Sequence, residues 1–254
     1  MRSLFTHSLT LRILSFAIVF GIWEYLGRVP ISPAFPTFLE TMSALGSMIA
    51  DGSMAAVYPA TFQPLLIGLV ISSILGIACG VFMGLNHKAE WFGAPVFIVL
   101  QSAPLAALIP LLTFAYGIGL TSKIITVCIM SVPVIVLNAY TAVRHTPVSM
   151  IEMGESYLGS RRQIIMKIII PSASPVIYAG LRLGAAMGFI GAILAELLIT
   201  PTGIGDLITY NQSIAEYEKM YAAIFSIMVF AVIFIEILER TEYLFFRPDK
   251  RVTQ

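Results

Sequence analysis

Hydrophobic residues gather into six blocks along the chain, at about 11–27, 59–84, 91–116, 122–142, 175–199 and 219–239. Each is close to the ~20 apolar residues that a membrane-spanning helix needs, so the pattern predicts six spans. Between the first two lies 28–58, where Pro30, Pro33 and Pro36 precede an amphipathic stretch, Thr37 to Ala50, that predicts a helix at a surface. Arg2 and Arg12 precede the run Ile13–Ile22 as in a signal peptide, but Trp23, Glu24 and Tyr25 follow where a small-residue cleavage site would stand. The first block is therefore predicted to remain as an uncleaved span.

Two spans carry small residues at every fourth position: Gly68, Ser72, Gly76, Gly80 and Gly84 in the second, and Gly180, Gly184, Gly188 and Ala192 in the fifth. Lipid gives helices no hydrophobic drive to associate, so such stripes predict close backbone packing rather than a substrate site. The third span is interrupted by Pro95, Pro104 and Pro110, with Gln101 and Ser102 between them. Broken backbone at membrane depth is tolerated where it is buried in protein or lines a cavity. That segment is a candidate for the wall of a pathway, or for a structural kink.

Composition agrees with a bilayer: 58% of residues are hydrophobic, 11% are charged, and mean hydropathy is +0.90. A net charge of +1 argues against nucleic acid as a partner. Cationic residues set the orientation. With the N-terminus inside, Arg2, Arg12, Lys88, Arg144, Arg161, Arg162, Lys167, Arg182, Arg240, Arg247, Lys250 and Arg251 fall on the cytoplasmic side, against Arg28, Lys123 and Lys219 outside. Both termini are thus predicted to be cytoplasmic. Cys79 and Cys128 lie in apolar runs as small hydrophobes. His7, His87 and His145 fall at cytoplasmic ends or loops, and no metal site is predicted.

The inside segment 146–171 predicts two short helices, far more than a connector needs. Thr146 is a candidate cap for the first, with Pro147 at its first position. Its apolar residues Met150, Ile151, Met153, Tyr157 and Leu158 fall on one side, and Ser149, Glu152, Glu155 and Ser156 on the other. Gly159 supplies a helix stop, which is often left-handed. Ser160 and Gln163 form a capping box for a second helix, expected to end at Pro171, with Ser174 and Pro175 beginning the fifth span. An amphipathic helix could lie on lipid, but Glu152 and Glu155 would meet anionic headgroups, which favours a protein partner.

The run Glu152-Met153-Gly154, Gly159 and Ile168-Ile169-Ile170-Pro171 resembles the Glu-Ala-Ala loop of ABC importer permeases. Glu152, Ile168 and Pro171 stand at that family's spacing. The glycine does not: its usual position holds Leu158, and Gly159 follows one residue later. Beyond about residue 57, Pro104, Ala107, Pro110-Leu111, Gly117-Ile118-Gly119, Ser122-Lys123, Gly180-Leu181-Arg182, Ala195-Glu196 and Gly203-Ile204-Gly205 resemble, in order, the nitrate, sulfonate and taurine branch. The resemblance implies an all-α polytopic fold of six transmembrane helices with a cytoplasmic hairpin that docks on an ATP-binding subunit. On that reading Glu152, Met153, Gly154, Glu155, Tyr157, Leu158, Gly159, Arg161 and Pro171 would couple to the motor. A second permease copy, two ATP-binding subunits and an extracytoplasmic binding protein would complete the assembly in a bacterial inner membrane. ATP and Mg would sit on the partner, not here. The chain itself has no phosphate-loop motif, and the dipeptide Gly-Lys never occurs.

The resemblance divides the chain into a first span with its connecting segment (1–56), a five-helix core (57–245) and a tail (246–254). Candidates for lining the pathway are Gln101, Ser102, Pro104, Asn138, Arg182 and Glu196. Intramembrane charges are functional hypotheses by default, with snorkelling as the alternative for Arg182 and an interface hydrogen bond for Glu196. Glu24 and Glu236, nearer helix ends, read as structural. Taurine-type relatives often carry arginine at the position of Gln101, so the amide weakens an anion reading. Ile190-Gly191-Ala192 with Ala195-Glu196 also resembles permeases for pyrimidine or flavin precursors. A secondary transporter would need internal repeats and coupling groups that are not evident here. A membrane-embedded enzyme would need a catalytic constellation, likewise not evident; a non-transporting scaffold is the third alternative.

Overall fold

The computed structural model describes residues 8–29, 32, 34–199 and 201–246, less the side chains of 8, 9, 12 and 243–246. The expectations resting on Arg2, His7, Pro30, Pro33, Arg247, Lys250, Arg251 and the side chain of Arg12 lie outside these. Among the described residues every regular element is a helix: α1 (Ser8–Arg28), α2 (Phe38–Ala50), α3 (Ser53–Leu85), α4 (His87–Ser102), a 3₁₀ turn (Leu105–Leu108), α5 (Ile109–Tyr116), α6 (Leu120–Arg144), α7 (Val148–Ser156), α8 (Arg161–Ile164), a π turn (Ile165–Ile169), α9 (Ile170–Leu198), α10 (Ile204–Ser213) and α11 (Tyr217–Phe246). Four fully described helical stretches are long and apolar enough to cross a membrane: Ser53–Leu85, Leu120–Arg144, Arg161–Leu198 and Tyr217–Glu242. A fifth follows if α4 and Leu105–Tyr116 count as one span bent by 87°. The first predicted span falls within α1.

The residues group into two compact units, within Met1–Pro59 and Thr202–Met228, and within Ala60–Pro201 and Val229–Gln254. In the first, α2 begins at the expected place on a capping box: Glu40 N–H donates to the Thr37 hydroxyl and Thr37 N–H to the Glu40 carboxylate. The bonds from Thr37, backbone first and hydroxyl second, hold the Glu40 carboxyl below the usual carboxylate range. Phe20 stacks on Phe38 at 4.6 Å, and Trp23 Nε1 donates to the Pro36 carbonyl at 3.1 Å. Glu24 pairs with Arg28 and accepts the Leu39 N–H at the start of α2, where a carboxylate suits the helix dipole.

In the second unit α6 is gripped from two sides by the glycine stripes. A side chain added at Gly68, Gly76, Gly80 or Gly84 of α3 would stand 2.6 Å from Val127, Ile135, Ala139 or Val143 of α6. Gly180 and Gly184 of α9 press on Asn138 and Ile135 of the same helix, and Gly188 on Leu69 and Ser131. Backbones approach this closely only where side chains are absent, so a methyl at any of these glycines would push the helices apart.

The structure corrects the expectation that the second loop helix ends at Pro171. Helix continues from Arg161 to Leu198 through both Pro171 and Pro175. Each proline removes an N–H that an upstream carbonyl would have accepted. Ahead of Pro171 the chain widens into the π turn, with Ile170 N–H donating to the Ile165 carbonyl. At Pro175 the orphaned carbonyl is that of Pro171, which accepts the Ser174 hydroxyl at 2.8 Å instead.

Candidate functional site

The hairpin between α6 and α9 starts at Thr146, whose hydroxyl donates back to the Val143 carbonyl at 3.0 Å. It therefore closes α6 and does not cap α7, correcting the expected role; Pro147 stands at the cap position with no side-chain bond. Ile151 and the buried Gly154 face inward, and a side chain at Gly154 would strike Ile168. Ile151 packs on the cluster of Ala139, Val143, Ile164 and Ile169. Met150 (44% exposed), Met153 (52%), Tyr157 (83%) and Leu158 (93%) face out. Glu152, Glu155, Ser156 and Arg161 are exposed among them, and Pro171 lies on the continuous helix behind.

The turn after α7 is a Schellman motif with an unusual occupant. Leu158 N–H donates to Glu155 O at 2.8 Å and Gly159 N–H to Gly154 O at 3.0 Å, the paired bonds of that motif. The left-handed residue is Leu158, at φ 56°. Gly159, the predicted helix stop, is not among the positive-φ glycines. Its own requirement is space, because a side chain there would sit 2.8 Å from the Gly154 carbonyl oxygen. The turn thus places its left-handed residue at the position where the resembled loop carries glycine. The predicted capping box is present: Ser160 N–H donates to Gln163 Oε1 at 2.8 Å, and Gln163 N–H to Ser160 Oγ at 3.4 Å.

Beneath the hairpin lies a cleft of about 450 Å³, walled by Leu85, Val143, Ile151 and Ile169 and edged by Arg144, Glu155 and Arg161. Arg144, the last residue of α6, reaches Glu90 of α4 at 3.5 Å.

The pathway candidates fall into separate settings. Gln101, Ser102 and Pro104 stand exposed at the 87° bend after α4, with Ser102 Oγ donating to Ile98 O within its own helix. Asn138 packs on Gly180 in the α6–α9 seam and donates to the Val134 carbonyl at 2.8 Å. Arg182 pairs with Glu239 of α11 at 3.0 Å. Glu196 lies about 21 Å further along α9. There it is buried, meeting Lys123 Nζ at 2.9 Å and accepting from Thr61 Oγ1 at 3.0 Å. Arg182 and Glu196 share a face of α9 but engage different helices. Glu236, in α11, pairs with Arg240 at 3.1 Å.

Lys123 is the residue that sequence reasoning missed. The sequence places it only among the outer cations, whereas its side chain is 4% exposed and that of Glu196 is 1% exposed. Lys123 stands in the first turn of α6 and Glu196 in the last of α9, so two antiparallel spans bring them to one depth. Matching charges by depth across spans was the available signal. The pair ties α6, α9 and, through Thr61, α3 at the end remote from the hairpin.

Known proteins resemble this chain over most of its length. A taurine transport system permease protein, TauC of Escherichia coli (strain K12), is 26% identical over 90% of this chain and 84% of its own. A formylaminopyrimidine transport permease protein, ThiX of Halalkalibacterium halodurans, is 24% identical over 90% and 92%. Among solved structures, a chain of an amino acid ABC transporter crystallised with histidines superposes with a TM-score of 0.64 at 16% identity, over 78% of this chain and 97% of that one. A chain of the inward-facing MetNI methionine ABC transporter gives a TM-score of 0.58 at 18% identity, over 74% and 94%. These likenesses agree on the all-α permease fold. With residues 72–241 matching the family model, which takes in α6, the hairpin, α9 and the buried pair, the chain belongs to the binding-protein-dependent transport system inner membrane components.

Proposed function

We propose that this chain is the membrane-spanning permease subunit of an ATP-driven importer, with α7 as its contact to a separate ATP-binding subunit. The observation that carries this reading is the outward set Met150, Met153, Tyr157 and Leu158, 44–93% exposed on a hairpin outside the apolar spans. Lipid does not cover a segment placed there with Glu152 and Glu155 interleaved, whereas a protein groove can. A nine-residue helix is marginal alone, so docking would also steady it. Two copies would enclose the pathway, two ATP-binding subunits would carry ATP and Mg, and an extracytoplasmic binding protein would deliver the solute. In this arrangement both termini and the hairpin face the cytoplasm. The relatives' names point to a small anion such as a sulfonate, taurine or nitrate, or to a pyrimidine precursor.

Glu152→Ala tests the reading. Removing a carboxylate from a desolvated contact costs about 2–5 kcal/mol of binding, much of it from the partner left unpaired. The ATP-binding subunit should be lost on co-purification, or hydrolysis should cease to respond to the binding protein in proteoliposomes. Normal values of both would remove Glu152 from the contact, and a wild-type complex that hydrolyses no ATP during uptake would leave a secondary transporter or a scaffold as the better description.

A further inference from the structure

We propose that Glu90 is a positioning residue for transport, a clamp that makes the first limb of the broken span follow the root of the hairpin. Glu90 lies in the first turn of α4, the helix that ends at the exposed Gln101–Pro104 bend. Its Oε1 accepts the Tyr140 hydroxyl at 2.6 Å, and its Oε2 meets Arg144 Nε at 3.5 Å; both partners are in the last two turns of α6. On its own helix Glu90 meets His87 Nδ1 at 2.9 Å, while Trp91 Nε1 donates to His87 Nε2 at 3.1 Å. That second bond makes Nε2 an acceptor, so the proton sits on Nδ1 and is donated to Glu90.

One carboxylate, 18% exposed, therefore gathers donors from two helices. Among the described residues, the side-chain hydrogen bond and the ion pair that join α4 to another helix both end on Glu90. Arg144 also edges the cleft beneath α7, and the hairpin leaves α6 directly after it. A displacement of α7 thus reaches Glu90 through its immediate support, and from Glu90 runs the length of α4 to the bend. The Tyr140 bond at 2.6 Å is charge-assisted and directional, with Arg144 adding an ion pair, whereas the neighbouring contact of Gly93 on Met83 is apolar and can slide.

The proposal rests on the reading of α7 as the motor contact, and two labels separate the two ideas. Spin labels are attached at Ser149→Cys on α7 and, separately, at Val96→Cys on α4, in a Cys79→Ala, Cys128→Ala background of the permease with its ATP-binding subunits. Mg-ATP with orthovanadate is the probe. Both labels should change mobility when Glu90 is intact. With Glu90→Ala the Ser149 response should persist, the Val96 response should be lost, and solute imported per ATP hydrolysed should fall roughly tenfold, the size of one charge-assisted hydrogen bond. Glu90→Gln, which still accepts from Tyr140, should restore most of the Val96 response, and Glu90→Met, of similar volume but without that acceptor oxygen, should not, which separates the bond from packing. Should Glu90→Ala fail to assemble, Tyr140→Phe removes one hydroxyl and should weaken the same response. A Val96 response that is undiminished in Glu90→Ala or, failing its assembly, in Tyr140→Phe overturns the clamp. A silent Ser149 label in the otherwise unaltered complex overturns the motor contact first, and the clamp with it.

Discussion

At its first turn α6 carries Lys123, matched to Glu196 out of contact with water; at its last turn, about 30 Å away, it carries Arg144, half exposed beside Glu90. The two ends treat apolar side chains just as differently. Near Lys123, Ile109, Ala195 and Ile199 are closed into a small core. At the hairpin, Tyr157 and Leu158 stand almost fully open. Free energy at the first end is committed within the chain, because burying two ions is recovered only while both are present. At the second end, apolar area remains to be buried by something else. The end remote from the hairpin is closed within the chain, and on the proposed reading the hairpin end is completed by the ATP-binding subunit.

The largest test of that contrast breaks the buried pair. Lys123→Met leaves the Glu196 carboxylate dehydrated without its cation and should cost about 3–5 kcal/mol, read as unfolding of the purified permease in detergent. Adding Glu196→Leu to Lys123→Met should recover most of the loss, since an apolar pair of similar volume carries no buried charge, less the bond that the buried Thr61 hydroxyl gives up. If the double variant is as unstable as the single one, charge balance is not what the pair supplies.

How far these features were legible follows the same division. Both glycine stripes and the Ser160–Gln163 box are local patterns, and each is found where its spacing put it. The Lys123–Glu196 pair joins residues separated by 73 positions, so no local window contains it. Proline was overweighted: Pro171 and Pro175 look like helix ends until the π turn and the Ser174 hydroxyl supply the missing bonds. Helix α10 was not foreseen in the segment after the fifth block, and the bend after α4 is sharper than a proline kink implies. At the hairpin the sequence singled out the departure from the usual glycine position, and φ at Leu158 gives the physical reason it matters.

Gly159 and Leu158 give effects of intermediate size. Gly159→Val drives a branched side chain at the Gly154 carbonyl and should cost about 1–3 kcal/mol, confined to the hairpin. Hydrogen exchange of the α7 amides would show it, with α6 and α9 protection unchanged; equal loss in those helices would mean that the hairpin and core fold as one. Leu158→Gly should act the other way, removing a left-handed penalty of about 1–2 kcal/mol, less the extra entropy glycine brings to the unfolded turn. Slower exchange in α7 together with weaker retention of the ATP-binding subunit would separate the two roles of Leu158, as a strained turn residue and as a 93% exposed apolar contact. Faster exchange would show that its side chain steadies the turn by packing.

The smallest expected effect on stability is also the one that sharpens the comparison most. Met153→Ser and Tyr157→Ser remove side chains that are 52% and 83% exposed, so neither opens a cavity nor strands a buried polar group. Substitutions of that kind usually move stability by no more than about 0.5 kcal/mol, and the unfolding curve of the isolated permease should be unchanged. Binding should not be so forgiving, because aromatic anchors that enter a groove are where contact energy concentrates. The ATP-binding subunit should therefore dissociate faster from Tyr157→Ser than from Met153→Ser, and faster from either than from the parent. Buried Val136 gives the matching control on α6: Val136→Ala should destabilise the permease and leave dissociation unaltered. If Tyr157→Ser lowers stability and spares dissociation, the hairpin is held by its own exposed residues, and the division between the two ends of α6 fails.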